Sequence, residues 1–189
     1  MLAALLLAAG ALAQEQPPLL LVMISVDGMR PHYITAADAH GAKVPNLRRF
    51  LKEGTYAEGV VGVVPTVTYP SHTTLVTGVW PAKHWIFANT TFDPLRQNQG
   101  GWDRYTEDIH VPTLWHVAAA AGRTTASIQW PVTVGASHIT WDIPEFWRAS
   151  TPGDAKLLRA LSTRGVAGRS EGEARRSACR CVALQRAAM

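Results

Sequence analysis

The chain has 189 residues, 47% of them hydrophobic and 17% charged, with a formal net charge of +4. This balance is that of a globular protein, and no apolar run reaches the ~18 residues that a membrane-spanning helix needs, so neither a disordered nor an integral-membrane protein is expected. All of the basic excess lies in residues 164–189, where six arginines face Glu171 and Glu173; residues 1–163 hold 12 Lys or Arg and 12 Asp or Glu, so the body offers no basic nucleic-acid face.

Residues 1–13 are apolar and end in Ala-Leu-Ala just before Gln14, the pattern of a secretory signal peptide lacking a basic start. Export to the periplasm or the medium is therefore expected, with the mature chain beginning near Gln14; an uncleaved membrane anchor and a buried helix are the alternatives. Leu19 to Val26 is a continuous apolar run, expected as a strand buried on both faces, and it stops at Asp27-Gly28. Pro45 to Glu53 carries Leu47, Phe50 and Leu51 on one face with Gly54 beyond, which predicts an amphipathic helix. Tyr56 to Val64, β-branched and punctuated by glycine, reads as the next strand.

Ser71 to Thr77 predicts a helix with Ser71 as its capping residue and Gly78 as its stop, which leaves Thr68 just before the helix N-terminus. Asn89 to Asp108 is polar and aperiodic, a long loop over a sheet edge. Pro112 to Gly122 reads as a further helix and Thr124 to Ile128 as a third strand. Alternating strands and helices in this order predict a layered α/β domain with parallel pairing. Beyond Thr163 aromatics vanish and Gly, Ala, Arg, Ser and Glu take over, the composition of a solvated segment or of a shifted reading frame. The only cysteines, Cys179 and Cys181, lie in this tail, so the body has neither a disulfide nor a thiol nucleophile.

Asp27 and Thr68, each following a predicted strand, would meet at one sheet edge, where a carboxylate and a hydroxyl could share a hard or borderline cation. A metal makes a coordinated hydroxyl an alkoxide near neutral pH, and a helix N-terminus favours a phosphate, so the pair points to phosphoryl transfer. The plainer alternatives are a turn-forming Asp-Gly pair and a proline-flanked loop rich in threonine.

Four motifs give these residues a family. Val26-Asp27-Gly28-Met29-Arg30, Pro65-Thr-Val-Thr68-Tyr-Pro-Ser-His72, Thr77-Gly78-Val-Trp-Pro81-Ala-Lys-His84 and Asn89-Thr-Thr-Phe-Asp93-Pro94 together resemble the nucleotide pyrophosphatase/phosphodiesterase family of the alkaline phosphatase superfamily. The resemblance implies an alkaline-phosphatase-like α/β/α sheet, mostly parallel and incomplete in this chain, and an exported hydrolase of small phosphodiesters or nucleotides. It implies two Zn2+ ions, with Asp27 and Thr68 as metal ligands and Thr68, rather than Thr66, as the nucleophile forming a phosphothreonine. Asn89 matches the asparagine that holds a phosphate oxygen, and it also begins an Asn-Thr-Thr sequon. By the same resemblance His72 and His84 belong to the motif framework, as structural histidines or as ones that support the ligands, rather than to the metal shell. Tyr69 either stacks on a substrate base or leaving group or simply anchors the turn.

A sulfatase of the same superfamily is disfavoured, because Thr68 and His72 stand at the ends of Thr68-Tyr-Pro-Ser-His72 where sulfatases place Cys and Arg. A phosphomonoesterase and a catalytically inert α/β module remain as alternatives. The resemblance continues through Ser127–Pro131 and Trp141–Trp147 and fades near Leu161. Its full metal site also needs an Asp with His four residues on, an adjacent Asp-His and one more His downstream. The last histidine here is His138, and no such Asp and His arrangement occurs, so of the zinc-binding side chains that the resemblance implies only Asp27 and Thr68 are encoded. Residues 19–163 are accordingly expected to be the N-terminal part of a phosphodiesterase domain, followed by an atypical tail over 164–189.

Overall fold

A computed structural model of the chain describes residues 20–95, 97, 101–146 and 152–166. The signal-peptide reading of residues 1–13 lies outside the described residues, as do Leu19, Trp147, the cysteine pair and nearly all of the basic tail. The described residues fall into two compact units, divided between Tyr56 and Ala57. No described helix is long and apolar enough to cross a membrane.

In the first unit α1 (His32–Thr35) leads through a 3-10 turn (Ala37–His40) to α2 (Pro45–Glu53). α2 has the expected bounds. Proline suits its first turn, where the missing N–H costs nothing. Gly54 donates its N–H to the Phe50 carbonyl at 3.0 Å. A Cβ on Gly54 would come within 2.9 Å of that oxygen, which explains the glycine. The Arg48 guanidinium pairs with the Asp38 carboxylate and ties the 3-10 turn to α2. Upstream, the structure corrects the first predicted strand. Leu20 to Val26 forms no ladder, and Leu20, Leu21 and Ile24 are at least 80% exposed. An apolar run becomes a strand only when a neighbouring strand pairs with it, and among the described residues no strand pairs with this one.

The second unit contains α3 (Thr68–Thr77), α4 (Pro81–His84), α5 (Leu114–Ala120), β1 (Ala126–Ile128), β2 (Trp141–Ile143) and α6 (Pro152–Leu161). Its sheet is parallel but differs from the predicted one. β1 lies inside the predicted third strand, and it pairs with β2, which had not been predicted, in the register Ala126–Trp141, Ser127–Asp142 and Ile128–Ile143. Tyr56 to Val64 is irregular, with Val60, Val61 and Val64 more than 85% exposed, so the second predicted strand is corrected for the same reason as the first. α5 is shorter than the predicted 112–122 helix, because Thr113 caps it in a box with His116 and Gly122 turns left-handed at φ 68°. α6 returns to the sheet through Thr163, whose N–H donates to the Asp142 carbonyl at 2.8 Å while its Oγ1 accepts the Asp142 N–H at 2.9 Å.

The loop over 89–108 is pinned at two places. Thr90 bridges Trp102 in antiparallel fashion, and Tyr105 bridges Val134 in parallel. Tyr69, Ile86 and Val132 form the buried cluster beneath it, with Trp102 and Ile109 packed against them. Val132 holds a left-handed backbone at φ 59°, unusual for a β-branched residue and a cost of about 1–3 kcal/mol that its burial must offset.

Candidate active site around Thr68

α3 begins at Thr68 rather than at Ser71. Val67, in extended conformation, is its cap, and no side chain fills the capping role expected of Ser71. Pro70 falls in the first turn, where a residue without N–H does not interrupt the ladder. Thr68 is thus the first helical residue, partly exposed, at the positive end of a ten-residue helix. Gly78 ends the helix at φ 69°.

The peptide unit joining Thr68 to Tyr69 is held at both ends. Its N–H, on Tyr69, donates to Asn89 Oδ1 at 2.8 Å. Its carbonyl, on Thr68, is 2.8 Å from His72 Nδ1, which must carry the proton for that bond. A backbone N–H can only donate, so the Asn89 amide is oriented with its oxygen toward α3 and Nδ2 as its donor end. The Asn89 backbone is fixed in turn, its carbonyl accepting the Asp103 N–H at 3.1 Å.

The Tyr69 ring is fully buried, 5.5 Å from Trp102 in a tilted pair. A ring with no exposed face cannot stack on a substrate base, so this geometry favours the anchoring role over the stacking one. Burial first, and then the nearby Glu145 carboxylate, raises the pKa of its phenol. Glu145 lies far along the chain, and no local motif marks it as a neighbour of this turn. The His72 ring meets Trp130 edge to face at 5.2 Å.

His84 is completely buried. Its Nδ1 accepts the Ile86 N–H at 3.1 Å, so Nε2 carries the proton and donates to Thr74 Oγ1 at 3.0 Å. Desolvation lowers its pKa, which favours this neutral tautomer. It ties α4 to α3. Asp27 belongs to the first unit and is exposed there in a turn, where Met29 N–H reaches the Val26 carbonyl at 3.4 Å and Gly28 takes φ 69°.

Residues 21–173 match the family model of type I phosphodiesterase / nucleotide pyrophosphatase. The chain belongs to this family. A venom phosphodiesterase of Naja atra is 32% identical over 154 residues, covering 78% of this chain and 18% of that protein. Human ectonucleotide pyrophosphatase/phosphodiesterase family member 5 is 33% identical over 119 residues, covering 59% of this chain and 24% of that protein. The murine family member 5 structure aligns with a TM-score of 0.45 at 27% identity, over 60% of this chain and 32% of that one. This phosphodiesterase-family chain therefore spans less than a quarter of the length of either curated relative.

The resemblance implies two zinc ions, and catalytic zinc usually takes three protein ligands. Among the described residues no three His, Cys, Asp or Glu side chains gather where they could hold a metal ion. The described residues do not fit a two-zinc centre. What they build is a hydroxyl on the first residue of α3 with the Asn89 amide bonded to the N–H of the next residue.

Proposed function

We infer that this chain carries the nucleophile region of a hydrolase of phosphodiesters and nucleotide pyrophosphates, with Thr68 as the attacking group and Asn89 as the phosphate-oxygen donor. The observation that supports this most strongly is the 2.8 Å bond from the Tyr69 N–H to Asn89 Oδ1. It commits Nδ2 to the donor role at the residue next to the hydroxyl, on a helix N-terminus that favours negative charge. In the first step Thr68 Oγ bonds to phosphorus while the P–O bond to one ester group breaks. The threonine proton ends on the departing alcohol, leaving a phosphothreonine diester. Water then replaces threonine at phosphorus, releasing the monoester and restoring the hydroxyl. Family membership supports this reaction class, and one relative, of Mus musculus, is named a bis(5'-adenosyl)-triphosphatase. A small nucleotide substrate fits that company.

Metal dependence rests on the resemblance. Hydrolysis of bis(p-nitrophenyl) phosphate, with and without added zinc, tests the reading. Thr68→Ser should retain turnover and the near-isosteric Thr68→Val should lose it. Equal turnover in Thr68→Val and the parent chain would overturn the assignment. Export is part of the same proposal, supported by the apolar residues 1–13, and N-terminal sequencing of the secreted product should begin near Gln14.

A further inference from the structure

His72 lies one helical turn past the nucleophile, and nothing in its motif position assigns it to the chemistry. Its Nδ1 nevertheless reaches the Thr68 carbonyl at 2.8 Å, while the N–H of the same peptide unit reaches Asn89 Oδ1 at 2.8 Å. The two groups of one trans peptide point in opposite directions, so two side chains hold one rigid plane from either side. We propose that His72 is a positioning residue for both the Thr68 hydroxyl and the Asn89 amide, acting through the Thr68–Tyr69 peptide. This rests on the function proposed above, and it adds a group that touches neither substrate nor phosphorus.

Two physical effects follow from the clamp. Holding the peptide plane that follows the Thr68 Cα restrains the backbone that carries the side chain, and so the place from which the hydroxyl is presented. The bonds also form a chain, from His72 Nδ1–H to the Thr68 carbonyl, across the peptide to the Tyr69 N–H, and on to the Asn89 carbonyl and its Nδ2–H donors. Each acceptor in such a chain becomes a better donor at its far end, a strengthening of about 10–30% per bond. Donation by His72 thus makes the Asn89 amide a stronger donor to a phosphate oxygen. The edge-to-face contact with Trp130 at 5.2 Å keeps the imidazole in the rotamer that makes this bond.

Two substitutions separate the bond from the packing. His72→Asn keeps an N–H donor near the position of Nδ1 but removes the ring, whereas His72→Phe keeps a ring against Trp130 but has no donor. The first readout is amide hydrogen exchange at Tyr69, which needs no turnover. Exchange should speed up by about fivefold or more in His72→Phe and stay near the parent value in His72→Asn. The second is bis(p-nitrophenyl) phosphate hydrolysis, where His72→Phe should lower kcat with little change in KM and His72→Asn should recover most of the loss. The opposite order, with Phe harmless and Asn damaging, would show that the ring only packs and would overturn the proposal. If exchange follows the predicted order while Thr68→Val leaves turnover untouched, the clamp stands and the assigned function falls.

Discussion

Asn89 and Tyr69 are joined by a 2.8 Å bond from backbone N–H to side-chain oxygen, and this bond brings the long loop onto the first turn of α3. Asn89 reaches that point because Trp102 and Asp103 hold its backbone from the far side of the loop, through the Thr90–Trp102 bridge and the Asp103 N–H. The orientation of one amide therefore depends on pairing between residues well separated along the chain.

Asn89→Asp replaces Nδ2 by a second oxygen and keeps the acceptor facing Tyr69. The fold should survive, with the Tyr69 amide still protected from exchange. Phosphodiester turnover should fall by about 100-fold or more, since an oxyanion donor becomes a negative charge. Retained turnover would remove Asn89 from the proposed reaction.

Asp142 is buried in β2 opposite Ser127, and desolvation raises its pKa from 3.8 to about 6, against the lowering effect of the Ser127 and Thr133 hydroxyls. A carboxyl with a raised folded pKa stabilises the fold below its unfolded pKa and loses that contribution as pH rises through the folded value. Asp142→Asn should therefore stabilise the chain at pH 7, by on the order of 1–3 kcal/mol, with the advantage fading as pH falls toward 4. Urea unfolding at several pH values measures it.

His84 predicts the opposite limb. Burial lowers its pKa, so its neutral form stabilises the fold above the ordinary histidine range, and that contribution is lost as pH falls through the lowered value. Melting temperature should drop on acidification, and a His84→Gln variant, itself less stable at pH 7, should show a shallower drop.

Gly78 ends α3 at φ 69°, and a Cβ there would meet nothing within 4 Å. Gly78→Ala should cost about 1 kcal/mol purely through backbone conformation, read as a lower denaturation midpoint with an unchanged m-value. A neutral substitution would mean that the helix end relaxes.

Thr113 and His116 cap α5 reciprocally, with the Thr113 N–H donating to His116 Nδ1 at 3.1 Å. Thr113→Ala should cost about 1 kcal/mol. His116→Ala should cost less, and the double variant should cost less than the sum, because each removes part of one unit. Strict additivity in chemical denaturation would show that the box is not coupled.

The local signals that proved readable were those whose cause is local. Pro45 and Gly54 bracket α2 because a missing N–H and a missing Cβ act within one turn, and Gly78 stops α3 in the same way. Leu20 to Val26 and Tyr56 to Val64 have strand composition without strand structure, because a strand is a relation to a partner. Trp141–Ile143 became a strand through the partner Ala126–Ile128 offers. α3 starts at Thr68 rather than at Ser71 because Val67 already has the extended backbone that a cap requires, although Ser71 is a good cap in isolation.

By itself the sequence determined the chemical types: a threonine in a proline-flanked turn, an aspartate after an apolar run, an asparagine opening a polar loop, and the motif order that fixes the family. These are properties of residue identity and spacing, which the chain carries before it folds. Only the tertiary structure decided that Tyr69 is core, that the Asn89 amide points its oxygen at α3, and that His72 grips the same peptide from the other side. Those outcomes depend on hydrogen-bond directions and burial between distant residues, and such relations exist only once the backbone has been brought together.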